Sequence, residues 1–289
     1  MTDQLSSALW RFVEDDDPNG LTLVVATPQG THLRRIPPAL PLPSHIDHGT
    51  SAEAAAHTAA ATWGIPDFVF QQAAHAAKGS GRRELGDRLL LAGGRGAVVQ
   101  VKARTIKPKP DDQEAGWIQK VAAKAMSQAK GTARQLRRVP ADMVNGRGRI
   151  LNVDGNAYEW IAVFLLDHPR VPENTVATWQ PVGMPAVALT RRDWDLLFDQ
   201  LRSTTAVLDY LFRAAAEPAI PLGQDPVRYY EFAAADAAEP PAAVNTELVG
   251  PCGSLFSAPQ LPQAPAGTDG TNVHLMIRII GDRPSRPPS

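Results

Sequence analysis

Alternation of apolar and polar positions is clearest between residues 84 and 104, where two Leu/Val/Ala-rich runs flank Gly93, Gly94, Arg95 and Gly96. The period of two predicts strands over 86–92 and 97–104 joined by a tight turn, because glycine supplies the positive φ that hairpin turns need. Folding this hairpin symmetrically about Gly94 and Arg95 sets Asp87 against Lys102 and Leu89 against Gln100. Asp87, Gln100, Lys102 and Arg104 then share one face, and Val99, Val101 and Ala103 take the other. A slip of one residue would separate them.

Elsewhere the apolar spacing lengthens to that of a helix. An alanine-dense helix is expected over 51–63, capped by Thr50 or Ser51 and closed by Gly64 and Pro66. A longer helix is expected from Asp111 or Asp112 to Arg138, with Trp117, Ile118, Val121, Ala122, Ala125 and Met126 on its apolar face. Strands are expected over 21–27, 67–71, 149–153, 159–167 and 186–189. The run 159–167 is almost wholly apolar, as in a strand covered on both faces. Thr190, with Asp193 three residues on, caps a helix expected to run unbroken over 191–216. Residues 36–43 form a proline-rich connector, 72–83 a basic loop and 217–265 an irregular stretch. One further strand or helix is expected over 273–280, before a disordered end. The chain thus divides into a β-rich start with its connector (1–50), a core (51–170) and a helical and irregular C-terminal region (171–289).

Composition changes this picture little. The 289 residues are 44% hydrophobic and 20% charged, ordinary for a soluble globular protein. A net charge of −1 carries no global nucleic-acid signature, so any such binding depends on local clustering. Cys252 is the only cysteine, which excludes an internal disulfide and a multi-cysteine zinc site and fits a cytoplasmic setting. No apolar run approaches membrane length and no leader pattern is read at the start, so no membrane partner is expected.

The expected order α-β-β-β-α-β, with Asp87 in one hairpin strand and Gln100-Val101-Lys102 in its partner, resembles the PD-(D/E)xK nuclease superfamily, in its Mrr-like variant with Gln-x-Lys. The likeness covers roughly residues 51–167. It implies an α/β protein with a restriction-endonuclease-like core, a mixed sheet flanked by helices. It further implies an endonuclease dependent on Mg²⁺ (or Mn²⁺) that acts on DNA in defence or repair. Phosphodiester hydrolysis needs neutralised phosphate charge and an activated water. Asp87 would supply an anionic oxygen to the metal, Gln100 an amide oxygen and Val101 a carbonyl, while Lys102 would orient or deprotonate the water. Gln100 stands where a carboxylate is usual, so a further ligand is expected from Glu53 on the preceding helix, or from Glu84. Arg82, Arg83 and Arg104 would extend a positive track, and Lys120, Lys124 and Gln128, four apart, a stripe along the phosphate backbone, one of whose members could approach the active site.

Blander readings stand beside these. Asp87 and Lys102 could form a plain cross-strand ion pair. Asp67 competes for the metal role but reads better as a turn residue. His45 and His48 read as a solvated loop, Trp117 as core and Cys252 as no nucleophile. A catalytically silent nucleic-acid-binding or scaffold module and an RNA nuclease are the alternative functions. Two-strand cleavage would call for a homodimer, with the C-terminal region as a dimer or partner-protein surface.

Overall fold

The computed structural model describes residues 9–14, 21–27, 30–43, 45–72, 88–181 and 183–238. Asp87, Glu84, Arg82, Arg83, Cys252, most of the basic loop and the segment expected over 273–280 lie outside the described residues. The chain divides into two units, Met1–Arg228 and Tyr229–Ser289.

Three antiparallel strands, β1 (Leu9–Glu14), β2 (Leu21–Thr27) and β3 (Gly30–Ile36), form a small sheet. The second sheet has seven strands. They are β4 (Val69–Gln72), β5 (Arg88–Ala92), β6 (Arg95–Ala103), β7 (Ala141–Asn145), β8 (Ile150–Val153), β9 (Glu159–Asp167) and β10 (Ala186–Thr190). Their order is β10-β9-β6-β5-β4-β7-β8. β6, β9 and β10 run parallel, and the remaining pairs are antiparallel. The protein is therefore α/β, with a mixed sheet flanked by helices.

Pleating sorts the helices between the two faces. Leu89, Leu91, Val98, Trp160, Ala162, Phe164 and Leu166 join Ile118, Ala122, Met126, Ala129 and Leu136 of α2 (Asp111–Arg138) in one core. The alternate positions, Leu90, Ala97, Val99, Val101, Ile161, Val163 and Leu165, are buried on the other face. There α1 (His48–Trp63) packs against α3 (Arg191–Leu201), and the Trp194 indole donates to the Ala56 carbonyl at 3.0 Å. Gly155 sits where α2 ends: an added Cβ would lie 2.6 Å from the backbone of Leu136 and Arg137.

Several boundaries differ from expectation for local reasons. The turn of the central hairpin is Gly93-Gly94, with φ of 59° and 77°. Two left-handed residues make the turn whose twist suits a hairpin; centring it on Gly94 and Arg95 would force Arg95 to positive φ. Ala92 therefore pairs with Arg95, and Leu89 lies opposite Val98 rather than Gln100. The shift is two residues, so the faces are preserved. Asp47, not Thr50 or Ser51, caps α1, its carboxylate accepting from the Thr50 amide at 3.0 Å. α2 begins after Pro110 without a side-chain cap, and Asp111, Asp112 and Glu114 lie in its first turn, where acids suit the helix dipole.

Thr190 and Asp193 do form a capping box. The expected single helix nevertheless breaks at Arg202, which is left-handed, and Ser203 caps α4 (Thr204–Ala216). α5 (Asp225–Ala238) occupies part of the stretch expected to be irregular. In the second unit the rings of Tyr229 and Tyr230 meet edge to face at 5.1 Å. β7 forms where no strand is expected and carries the hairpin β7–β8 onto the β4 edge.

Candidate functional site

Gln100, Lys102 and Arg104 follow one another on the α2 side of β6 and its exit. Gln100 pairs with Phe164 and Lys102 with Leu166, both members of the α2-side core. Gln100 is only 2% exposed, and Lys102 is half-buried. The Lys102 ammonium donates to the Gln100 amide oxygen at 3.5 Å. Glu53 lies half-buried on α1, which packs on the opposite sheet face from these two side chains. The expectation that Glu53 completes a metal site with Gln100 is therefore not met by the sheet geometry.

Arg104 has a different role from the expected phosphate contact. Its guanidinium is buried and holds the Glu114 carboxylate through two hydrogen bonds, 2.8 and 2.5 Å. The same guanidinium lies 4.6 Å from the Trp117 ring centroid. Glu114 also accepts from the Lys109 amide at 2.8 Å and meets His168 Nε2 at 2.9 Å. The Arg104 hydrogen bonds, with help from His168, hold the Glu114 carboxyl down at a pKa of about 2. This is a structural knot joining the end of β6, the start of α2 and the exit of β9.

Asp67 is engaged by Arg147, by Arg149 at 3.6 Å and by the Asn145 amide at 3.4 Å, which fits the turn role read for it. Lys120, Lys124 and Gln128 are exposed on α2, whose buried side faces the sheet. None of the three therefore turns toward Lys102.

Two polar clusters escaped the sequence reading. His48 is exposed, as expected, but it opens α1 instead of lying in a loop, and its Nε2 meets Asp167 at 2.6 Å. Arg191 donates to Asp167 at 2.8 Å and to the Leu40 carbonyl at 2.5 Å. The Leu40 amide donates to Asp195 at 3.1 Å, and burial raises the Asp195 carboxyl to about 6. The second cluster gathers Asp193, Tyr210, Asp225 and Arg228. The Tyr210 hydroxyl donates to Asp225 at 2.8 Å. Burial first, and then the neighbouring Asp193 charge, raise the Asp225 carboxyl to about 7. The signal that could have flagged the first cluster is the placement of Asp167 where the apolar run of β9 stops.

Among the described residues, no group of three His, Cys, Asp or Glu side chains is placed to hold a metal ion. On β6 the described side-chain donors amount to one buried amide oxygen beside a lysine, and this set does not fit Mg²⁺, which takes oxygen ligands and is usually bound through carboxylates. Among the described residues no helix is long and apolar enough to cross a membrane. No family model, curated protein or solved structure matches the chain.

Proposed function

We propose that the protein hydrolyses phosphodiester bonds in DNA on a restriction-endonuclease-like core. The observation that carries this is the placement of Gln100 and Lys102 two residues apart on one face of β6, with the ammonium 3.5 Å from the amide oxygen. β6 is the third of the strands β4, β5 and β6, which follow α1 and pair antiparallel; α2 and then the β7–β8 hairpin lie between β6 and the parallel β9. That order supports the PD-(D/E)xK reading. In it the Lys102 ammonium orients the attacking water and offsets the charge that develops on phosphate, while Gln100 steadies the ammonium. Asp87 is the acid this chemistry requires beside them.

A second reading, a silent DNA-binding module with the same fold, is favoured by the burial of Gln100 and by the absence of a metal-holding cluster among the described residues. Incubation of plasmid, linear duplex, single-stranded DNA and RNA with Mg²⁺, Mn²⁺ or EDTA separates the two. The expected outcome is cleavage of DNA by the wild type that is lost in Lys102→Ala and Asp87→Asn. If wild type and both variants are equally inert on every substrate, the hydrolase is excluded and the silent module stands. Preference for RNA would move the activity to the RNA nuclease class.

A further inference from the structure

α2 carries a charge distribution that its packing does not explain. From Ala115 to Arg138 the helix contains no Asp or Glu. Lys120, Lys124, Lys130, Arg134, Arg137 and Arg138 are all exposed, and none of them forms an ion pair among the described residues. At 3.6 residues per turn the six cations fall within an arc of about 140°, along about 27 Å of helix. The same arc holds Gly116, Ala123, Ser127 and Gly131. Added Cβ atoms at Gly116 and Gly131 would meet no neighbouring atom within 4 Å, so packing requires neither glycine. Helix-interior glycine weakens a helix relative to alanine. Here Gly131, with Ala123 and Ser127, leaves a low floor between long cationic side chains, and Gly116 lies one turn before the first of them.

We infer that the outer face of α2 docks the phosphate backbone of duplex DNA, apart from the β6 chemistry. This docking face rests on the nucleic-acid part of the function proposed above and not on its hydrolytic part. Charge complementarity selects a polyanion. The arc carries no aromatic side chain on which unpaired bases would stack, and no large apolar side chain to enter a lipid surface. A row of cations carried on one helix instead suits the regular row of phosphates on a duplex. Contacts of this kind carry no sequence information, so docking should be sequence-tolerant. The arc points away from the sheet, so a helix of about 10 Å diameter separates it from Lys102. It is therefore a holding surface and not the wall of the cleavage site.

The test is binding of a fluorescein-labelled 20-bp duplex by the full chain in EDTA, read by anisotropy across salt concentrations. With up to six phosphates neutralised, log K should fall against log salt with a slope near −5, about 0.9 per contact. The variant Lys124→Gln/Lys130→Gln/Arg134→Gln should reduce that slope by about 2.7, against no more than about 0.9, one contact, for Lys102→Ala. Far-UV circular dichroism checks that the triple variant keeps its helix. An unchanged slope in a folded triple variant overturns the inference. So does tighter binding to single-stranded DNA of the same length, or to vesicles containing phosphatidylserine. Because binding is read without metal, a failure of cleavage leaves this result standing, and a flat slope leaves the cleavage assay standing.

Discussion

Glu114→Ala tests the knot that fixes the end of β6. The carboxylate accepts four hydrogen bonds, two from Arg104, one from His168 and one from the Lys109 amide. Removing it leaves a guanidinium 6% exposed and an imidazole 0% exposed without their acceptor. Truncating one member of a buried ion pair costs about 3–5 kcal/mol, because the other charge stays desolvated. At about 2–4 °C per kcal/mol for a domain of this size, the melting temperature should fall by about 6–20 °C. Arg104→Ala should cost a comparable amount, since it strands the carboxylate. Arg104→Ala/Glu114→Ala removes both charges and should cost well under the sum. Urea unfolding at pH 7, followed by far-UV circular dichroism, gives the cycle. Single-variant costs that add to within about 0.5 kcal/mol would refute the coupling. The sign with pH is fixed too. The folded carboxyl lies at about 2 against an ordinary 4.5, so its stabilisation is present above pH 4.5 and lost as pH falls toward 2. The wild type should therefore show an acid limb in that window that the double variant lacks.

Two other variants probe packing and burial. Gly155→Ala should lower stability by about 1–3 kcal/mol by thermal melting, since its Cβ meets immobile backbone at 2.6 Å, whereas Gly116→Ala, with nothing within 4 Å, should be neutral or raise it by up to about 1 kcal/mol. Equal melting temperatures would contradict the close approach of Gly155 to α2. Asp225→Asn keeps the oxygen that accepts from Tyr210 and removes a carboxyl whose folded value lies near 7, above its ordinary 3.8. Stability tied to that shift is full below pH 3.8 and lost as pH rises through 7, so the urea midpoint of the variant should be flatter across that window. A wild type equally flat would show that Asp225 does not titrate there.

Much of the fold was legible because hydrophobic period and face are local properties. β9 is apolar at nearly every position because α2 covers one side and α3 packs on the other. The hairpin register differs by two residues from a fold centred on Gly94 and Arg95, yet the faces are the same, since side chains alternate with period two. What failed depended on single residues of ambiguous chemistry. Arg202 adopts a left-handed conformation that nothing in its type announces, and it divides what reads as one helix into α3 and α4. β7 is five residues with a half-polar pattern, and it pairs only because the β4 edge is open to it.

The candidate site was legible in face but not in depth. Gln100, Lys102 and Arg104 present the same alternation, and a strand pattern cannot say which cation meets solvent and which is committed elsewhere. Glu114 decides the matter for Arg104 from the first turn of α2, ten residues on, together with His168 from beyond β9. Proteins seldom bury a lone guanidinium, so an acid placed in the helix that follows such a strand is the signal to weigh. With Arg104 committed and the α2 cations facing outward, the chemistry proposed for this face narrows to Lys102 beside Gln100, and the docking proposed for DNA moves to the far side of a helix. Cleavage and binding should then respond to different variants. Lys102→Ala abolishes the first and takes at most one phosphate contact from the second, and neutralising Lys124, Lys130 and Arg134 weakens the second without touching the groups at the first.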